Sequence, residues 1–236
     1  GVMKPFKIIG NVYFVGCFPA SSHLIDTGEG LILIDTGYND TLHLLINSIW
    51  ELGFSPYDVK YIVHTHWHSD HTEATKAFVH LTEAKTFIGK KDARNVQQYF
   101  NPDVLLKEGD TATLGNTTIE IMETPGHTEG CISVFFETEE NGNKYKVGMF
   151  GGAGANTLVR GTFDYDGCRE DYRNSLNRLR EKKVDVFIGN HVWNNDTEAK
   201  AEILRTTGEN RFIDDRLWCE FLGFCEKRLD EIIKNE

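Results

Sequence analysis

Four histidines and an aspartate lie within eight residues of this chain, His64-Thr65-His66-Trp67-His68-Ser69-Asp70-His71. Imidazole and carboxylate are the ligands that zinc and similar divalent cations prefer. Side chains two residues apart in an extended segment point the same way, so His66 and His68 can hold one ion from one side. Asp70 and His71, beyond the turn, can face a second position. A polar loop rarely contains so many imidazoles without a ligand, and the segment therefore predicts a metal site.

One ion needs about four ligands, so this segment cannot complete a site alone. Two further histidines follow stretches that predict strands. His127 lies among glycines in Thr124-Pro-Gly-His-Thr-Glu-Gly130, and His191 follows Ile188-Gly-Asn190. Either histidine alone would be an ordinary solvated loop residue. Combined with the His-x-His-x-Asp-His segment, they predict a site built from three parts of the chain.

The elements that must position these residues are strands ending just before them. The apolar residues 59–63 predict a strand that delivers the histidines to the carboxyl edge of a sheet, where open α/β folds place their chemistry. Residues 31–34 predict another buried strand, with Asp35 at its tip. Strands and helices occur in both halves, which predicts an α/β fold. No Pro/Ser-rich linker divides the chain, so we expect one domain over 1–236, closing with a helix at about 210–233.

Composition narrows the possible partners. Lys plus Arg is 25 and Asp plus Glu is 36, giving a formal net charge of −11. Nucleic acid and anionic membranes both need a basic surface, so neither is expected as a partner. A small-molecule substrate is expected, and an anionic one is compatible with this charge because a bound metal changes the local field.

Cellular location and assembly are predicted from weaker signals. No stretch approaches the roughly 18 to 20 apolar residues of a membrane span. No segment has the pattern expected of a signal peptide, and five cysteines without a Cys-x-x-Cys motif are typical of reduced thiols. These features favour the cytoplasm, with a removed leader as the alternative. The apolar stripe of the closing helix, with Trp218 and Phe221, docks on the core, lines the mouth of the site or forms a homodimer face.

The motifs together resemble the metallo-β-lactamase-fold hydrolase superfamily. Residues 31–37, the His-x-His-x-Asp-His segment, Thr124-Pro-Gly-His-Thr128 and the late His191 occur in the family's order across nearly the whole chain. The resemblance implies an αββα sandwich of two mixed β-sheets, with helices on the outer faces and the metal site at one edge. Asp35 corresponds to a buried carboxylate beneath the site, which either fixes a loop or tunes a ligand. The implied zinc ligands are His66, His68 and His127 for the first ion, and Asp70, His71 and His191 for the second.

One segment departs from the wider family. Glyoxalase II, lactonases and phosphodiesterases of this fold read Phe-x-Gly-Asp after a strand, and that aspartate bridges both metals. This chain reads Met149-Phe-Gly-Gly-Ala-Gly-Ala-Asn156, which places Ala153 at the bridging position, within one residue. The missing carboxylate disfavours those three activities. The chain resembles instead the lactamase subclass whose second zinc takes Asp, His and His with no bridging protein ligand.

These implications predict a zinc-dependent, β-lactamase-like hydrolase with two zinc ions per chain. The ions would share a water, lower its pKa toward about 7 and present hydroxide to a small-molecule amide, lactam or ester carbonyl, with Asp70 orienting it and accepting a proton. A lactone or thioester hydrolase is one alternative. An iron-dependent oxidoreductase of the persulfide dioxygenase type is another, although a mono-iron enzyme would not need Asp70 and His71 together with His191. A binding module with an inactive site is disfavoured because all six ligands are present.

Substrate contacts are predicted from position alone. Trp67 and Trp193 neighbour proposed ligands and can wall an apolar pocket, with packing beneath the site as the alternative for each. Asn156 and Tyr165 lie in a long polar segment of the kind that often contacts substrate. His64 shares a face with His66, but because both ion sites have their ligands, it is expected to support the site or pack in the core.

Overall fold

In the part of the chain that the structure describes, the first of two mixed sheets contains seven strands in chain order. The computed structural model describes residues 3–16 and 20–236. The strands are β1 (Phe6–Ile9), β2 (Val12–Gly16), β3 (Ser22–Asp26), β4 (Leu31–Ile34), β5 (Val59–Val63), β6 (Lys85–Gly89) and β7 (Val104–Leu106). β1 to β4 are antiparallel to their neighbours, whereas β4 to β7 are parallel. The carboxyl ends of β4, β5 and β6 therefore lie side by side.

The second sheet contains five strands in the order β12-β11-β10-β9-β8. Its strands are β8 (Thr111–Leu114), β9 (Thr117–Glu123), β10 (Ile132–Glu140), β11 (Asn143–Met149) and β12 (Val186–Phe187). β8 to β11 form antiparallel pairs, and β12 joins β11 in parallel.

The described residues contain seven α-helices beside the sheets: α1 (Leu42–Glu51), α2 (Ser69–Thr72), α3 (Thr75–Thr82), α4 (Ala93–Val96), α5 (Cys168–Arg180), α6 (Thr197–Thr207) and α7 (Leu217–Lys234). Short 3-10 turns lie at Asn39–Thr41, Pro56–Asp58, Lys90–Asp92, Asn156–Leu158 and Val192–Asn194. None of the helices in the described part of the chain is long and apolar enough to cross a membrane.

The packing of β10 shows how the layers arise from sequence. Ile132, Val134 and Phe136 alternate along the strand and join the apolar cluster between the two sheets. Phe135 points the other way, into a cluster with the helices α5 and α7. A third cluster packs α1 and α3 against the outer face of the first sheet. This period-two division of side chains produces four layers, and the predicted αββα sandwich is confirmed.

Several element bounds differ from the sequence prediction. The closing helix begins at Leu217 rather than near residue 210, because the preceding residues make other backbone contacts. The side-chain amide of Asn210 donates a hydrogen bond to the backbone carbonyl of Ile8 at 2.7 Å, and Ile213 forms a β-bridge with Val186. The helix α6 had no sequence counterpart in the prediction, since its sequence is polar on most sides and Thr197 is its one fully buried residue.

Candidate metal centre

The six proposed ligands come together at the edge where strands of both sheets end. β5 leads into His66 and His68, and the short helix α2 then carries Asp70 and His71. His127 lies in the loop between β9 and β10. His191 follows β12 and precedes a 3-10 turn. The structure thus brings residues of three separate segments of the chain to one place.

The first group consists of His66, His68 and His127. One ligand atom from each lies within 4.8 Å of the others, an arrangement that can hold a metal ion. Nδ1 of His68 is 3.0 Å from Nε2 of His127. His127 is fixed by its own loop, where Gly126 packs so closely on α5 that a Cβ there would lie 2.6 Å from Cβ of Tyr172.

The second group consists of Asp70, His71 and His191. Nε2 of His71 is 3.4 Å from Oδ2 of Asp70 and 3.3 Å from Nε2 of His191. Nε2 of His191 is also 3.6 Å from Oδ2 of Asp70. Ligand atoms of His66, Asp70 and His71 lie within 4.8 Å of one another too. His66 is therefore close to both groups.

In three of the proposed ligands, the ring nitrogen that faces away from the cluster makes a hydrogen bond. We call this atom the outer nitrogen, and its hydrogen bond fixes the orientation of the imidazole ring. Nδ1 of His71 bonds to Oδ2 of Asp35 at 2.7 Å, and Nδ1 of His127 bonds to the carbonyl of Gly154 at 2.8 Å. Nδ1 of His66 lies 3.1 Å from Oγ1 of Thr65. When the outer nitrogen of a neutral imidazole donates, the inner nitrogen presents a lone pair. In its neutral form, each of these three rings therefore offers an acceptor to the interior of the cluster.

Nε2 of His66 is the best indicator that a cation fits here. This atom is buried and has no hydrogen-bond partner among the described residues. A buried polar atom without a partner costs about 1–3 kcal/mol, and a bond to a metal ion would satisfy it. The donor set of imidazoles with one carboxylate also matches the preferences of zinc. The residues present therefore fit a metal ion.

The pKa values separate the histidines into two kinds. Burial lowers the pKa of His127 to about 3 and that of His68 to about 4, and it lowers the pKa of His66 well below its usual value, with the neighbouring histidines adding to the effect. These neutral rings are ready to bind metal without losing a proton. Burial would also lower the pKa of His71, but Asp35 and Asp70 raise it to about 10. The position of His71 therefore favours a positive charge, either a proton or a metal ion.

Asp35 connects the first sheet to the site. It adopts a left-handed backbone conformation with φ of 59° directly after β4. Its Oδ1 accepts from the backbone N–H of Thr65 at 2.8 Å, and its Oδ2 accepts from the Thr65 hydroxyl at 2.8 Å as well as contacting His71. The two alternatives that the sequence left open, loop fixing and ligand support, are thus both present as contacts.

Asp92, which the sequence analysis did not single out, ties two ligand loops together. It is fully buried after β6. Its Oδ2 accepts from the backbone N–H of Trp67 at 3.0 Å and from the Thr128 hydroxyl at 2.8 Å, and its Oδ1 accepts from the N–H of Gly130 at 2.7 Å. Burial raises its pKa to about 7 against the lowering effect of these bonds. A Cβ at Gly130 would lie 2.2 Å from the Asp92 nitrogen, so the close approach requires glycine.

A cavity of about 480 Å³ opens onto the cluster. Its lining includes one or more ligands from each group and also Asn156, Trp193 and Arg228. A larger cavity of about 980 Å³ lies between Met3–Phe6 and α6 and also reaches Trp193, but its lining contains none of the proposed ligands. The smaller cavity is therefore the place where chemistry at the cluster can occur.

The structure divides the four residues predicted to contact substrate. Asn156 and Trp193 line the cavity. Trp67 instead packs against Ile88 and its neighbours in a separate apolar cluster beside the site. Tyr165 donates a hydrogen bond to Asp171 at 2.8 Å and packs against the α5–α7 cluster, outside the cavity lining.

Two further sequence expectations concern His64 and Ala153. Both ring nitrogens of His64 are occupied, Nδ1 at 2.9 Å from the Phe87 carbonyl and Nε2 at 2.7 Å from the Thr75 hydroxyl, so this residue supports the loop and is not one of the proposed ligands. Ala153 is buried in the apolar cluster with α5, and its carbonyl accepts from Tyr172 at 2.8 Å.

Comparison with known proteins places these features in a family. A model of the metallo-beta-lactamase superfamily matches residues 15–140, which is more than half of the chain. An N-acyl homoserine lactonase from a Bacillus species is 27% identical over 153 residues, which are 52% of this chain and 60% of the lactonase.

Solved structures match over a longer range. A subclass B3 metallo-beta-lactamase of Bradyrhizobium japonicum superposes with a TM-score of 0.93 at 28% identity, covering 99% of this chain and 94% of that one. A metallo-beta-lactamase from Legionella gormanii gives a TM-score of 0.91 at 27% identity, covering 99% and 96%.

Proposed function

The chain belongs to the metallo-beta-lactamase superfamily, and from this premise we propose that it is a zinc-dependent hydrolase of a small-molecule lactam, amide or ester. One observation carries the proposal, the convergence of two groups of metal-ligating side chains at the end of a cavity. The named lactonase and lactamases among its relatives support hydrolysis of a cyclic carbonyl compound.

Two zinc ions per chain are proposed. His66, His68 and His127 would hold the first ion, and Asp70, His71 and His191 would hold the second. When bound, zinc lowers the pKa of a coordinated water toward about 7 and polarises a carbonyl. The second group favours the hydrolase over a mono-iron oxidoreductase, which would not need these three additional ligands.

The residues of the chain supply orientation and proton transfer. Burial would raise the pKa of Asp70, but its hydrogen bond to His71, together with the positive fields of His71, His191 and His68, holds that pKa well below its usual range. Asp70 therefore remains a carboxylate, able to orient the attacking water. Its Oδ2 faces His71 and His191, which leaves Oδ1 to accept the proton of the water. No serine or cysteine nucleophile is required.

The cavity walls would orient the substrate. Trp193 offers an apolar face beside His191, and its ring lies 6.2 Å from the imidazole in a stacked arrangement. Asn156 also lines the cavity and offers its side-chain amide, next to Gly154 and Ala155. We propose that these two side chains hold the scissile carbonyl against the proposed ligands while excluding part of the bulk water.

Removal and restoration of metal tests this proposal. Wild-type protein is screened with nitrocefin, aryl esters, homoserine lactones, thioesters and phosphodiesters, first as purified, then after exhaustive EDTA dialysis with metal absence confirmed, and finally after zinc is added. We expect hydrolysis of a lactam or ester that disappears on dialysis and returns with zinc. Activity that survives complete metal removal contradicts the mechanism. One iron per purified chain would favour the oxidoreductase instead.

A further inference from the structure

Arg228 gives the cavity a positive charge that neither the motifs nor the metal ligands account for. It lies on α7, and among the described residues that line the cavity it is the single lysine or arginine. Its side chain is exposed to solvent. A substrate entering the cavity would therefore meet this guanidinium group.

Contacts with Trp193 direct the arginine toward the cavity. Phe221, Phe224 and Arg228 follow one face of α7 at spacings of three and four residues. The ring of Trp193 lies 6.1 Å from that of Phe221 and 6.4 Å from that of Phe224. The guanidinium carbon of Arg228 lies 5.9 Å from the centre of the Trp193 ring. At that distance a cation–π attraction holds the charge over the tryptophan.

Salt bridges on the other side of α7 fix the helix position. Glu226 pairs with Arg180 at 2.6 Å, and Asp230 pairs with Arg173, both arginines belonging to α5. Next to these two carboxylates in the chain, Cys225 and Leu229 are buried in the α5–α7 cluster. Since residues two positions apart on a helix face nearly opposite sides, these contacts leave Arg228 on the side of the cavity.

Arg228 also differs from nearby arginines in its partners. Arg169, Arg173 and Arg180 each pair with a carboxylate. No carboxylate within the described residues forms a salt bridge with Arg228, although the chain has a net charge of −11. The guanidinium group therefore keeps its full capacity for two parallel hydrogen bonds to a planar anion such as a carboxylate.

We propose that Arg228 binds a carboxylate group of the substrate and makes the enzyme prefer acids over neutral analogues that contain the same scissile bond. This inference rests on the proposed hydrolase function, which it refines by naming a substrate class. It distinguishes carboxylate-bearing lactams and amides from neutral lactones and esters.

A matched pair of substrates tests the preference. Nitrocefin carries a carboxylate, whereas its methyl ester has the same lactam without that charge. We expect Arg228→Gln to lower the acid-to-ester ratio of kcat/KM by about tenfold or more, mainly through a higher KM for the acid. Arg228→Lys should give an acid-to-ester ratio between those of the wild type and Arg228→Gln, because lysine retains the charge but cannot form two parallel hydrogen bonds. Lys227→Gln removes the same charge from the next residue of the helix and should leave the ratio unchanged.

The outcomes separate this inference from the proposed function. An equal loss on acid and ester, or no change on either, overturns the role of Arg228. If the zinc-loaded wild type hydrolyses neither compound, the proposed function loses its support, and calorimetric titration of the same proteins with the same pair decides the inference. Tighter binding of the acid that is lost in Arg228→Gln supports it. Equal binding of both compounds, or no binding of the acid, overturns it.

Discussion

At the scale of single residues, the outer hydrogen bonds of the histidines prepare the cluster for a cation. The Asp35 carboxylate at 2.7 Å from His71 both orients the ring and increases its electron density, as partners of metal-bound histidines commonly do. Asp164 lies 4.0 Å from Nε2 of His68, on the side away from His127. Because these partners set which nitrogen faces inward, the arrangement needs little reorganisation when a metal binds.

His191 should decide the occupancy of the second ion. The segment 149–156 contains no carboxylate, so the second ion depends on Asp70, His71 and His191. We expect His191→Ala to retain one zinc per chain and the fold while activity falls about 100-fold or more. Metal counting by mass spectrometry, with anomalous diffraction to locate the ion, measures this directly.

A surface histidine provides the control for that variant. His80 is exposed on α3 and does not line the cavity at the proposed ligands, and His80→Ala should keep two zinc ions and full activity. Two ions and full activity in His191→Ala would show that His191 is an ordinary loop histidine, and the Asp-His-His assignment would then be wrong.

At the scale of elements, parallel strands place their carboxyl ends together, and this rule explains why the position of the candidate site could be predicted from the sequence. β4, β5 and β6 end side by side, and the polar residues that follow them include Asp35, His64 to His71 and Asp92. The first two groups were recognised from their residue types. Asp92 follows the predicted strand in the same way, but a single carboxylate among lysines carries no distinctive pattern.

Asp92 should couple stability to metal affinity through the two loops that it joins. Asp92→Ala leaves two backbone N–H groups and one hydroxyl buried without their acceptor. We expect a loss of about 3 kcal/mol in the free energy of unfolding and a weaker affinity for zinc. Urea denaturation and competition with a zinc chelator measure the two effects separately.

A carboxylate at the other end of β6 offers a matched control. Asp103 accepts hydrogen bonds from the backbone N–H and hydroxyl of Thr86 at 2.8 and 2.9 Å. Asp103→Ala should reduce stability without changing zinc affinity. If both variants weaken zinc binding equally, the effect of Asp92 comes from general loosening of the fold and not from joining the ligand loops.

Features that depend on distant packing could not be predicted from sequence. Residues 90–99 form one 3-10 turn and the four-residue α4 instead of a continuous helix, because Asp92 turns inward to bind the loops. Arg228 belongs to a helix that was predicted, but its place at the cavity depends on how α7 packs on α5. Leu81 is apolar, yet its side chain is 44% exposed, since α3 ends one residue later.

At the scale of the whole molecule, the proposed ligands are divided between the two sheets. His66, His68, Asp70 and His71 follow β5 of the first sheet, whereas His127 and His191 follow β9 and β12 of the second. Near the site, Ser21 donates to the carbonyl of Asn190 at 2.7 Å, and Ala20 forms a β-bridge with His191. The site therefore assembles only when the two sheets pack together, so metal binding and folding should be coupled.

Zinc should raise the melting temperature of the chain for this reason. A ligand at 100 times its Kd stabilises the folded state by about 2.7 kcal/mol, which for a domain of this size corresponds to about 5–10 °C. Calorimetric melting with chelator and with saturating zinc measures this increase in melting temperature, which we call the zinc increment.

His66→Ala should lose most of the zinc increment, because His66 lies close to both ligand groups. Leu222→Ala, a fully buried residue of α7, should lower both melting temperatures through about 3 kcal/mol of lost packing while preserving the increment. An increment that persists in His66→Ala would show that zinc stabilises the fold from some other position.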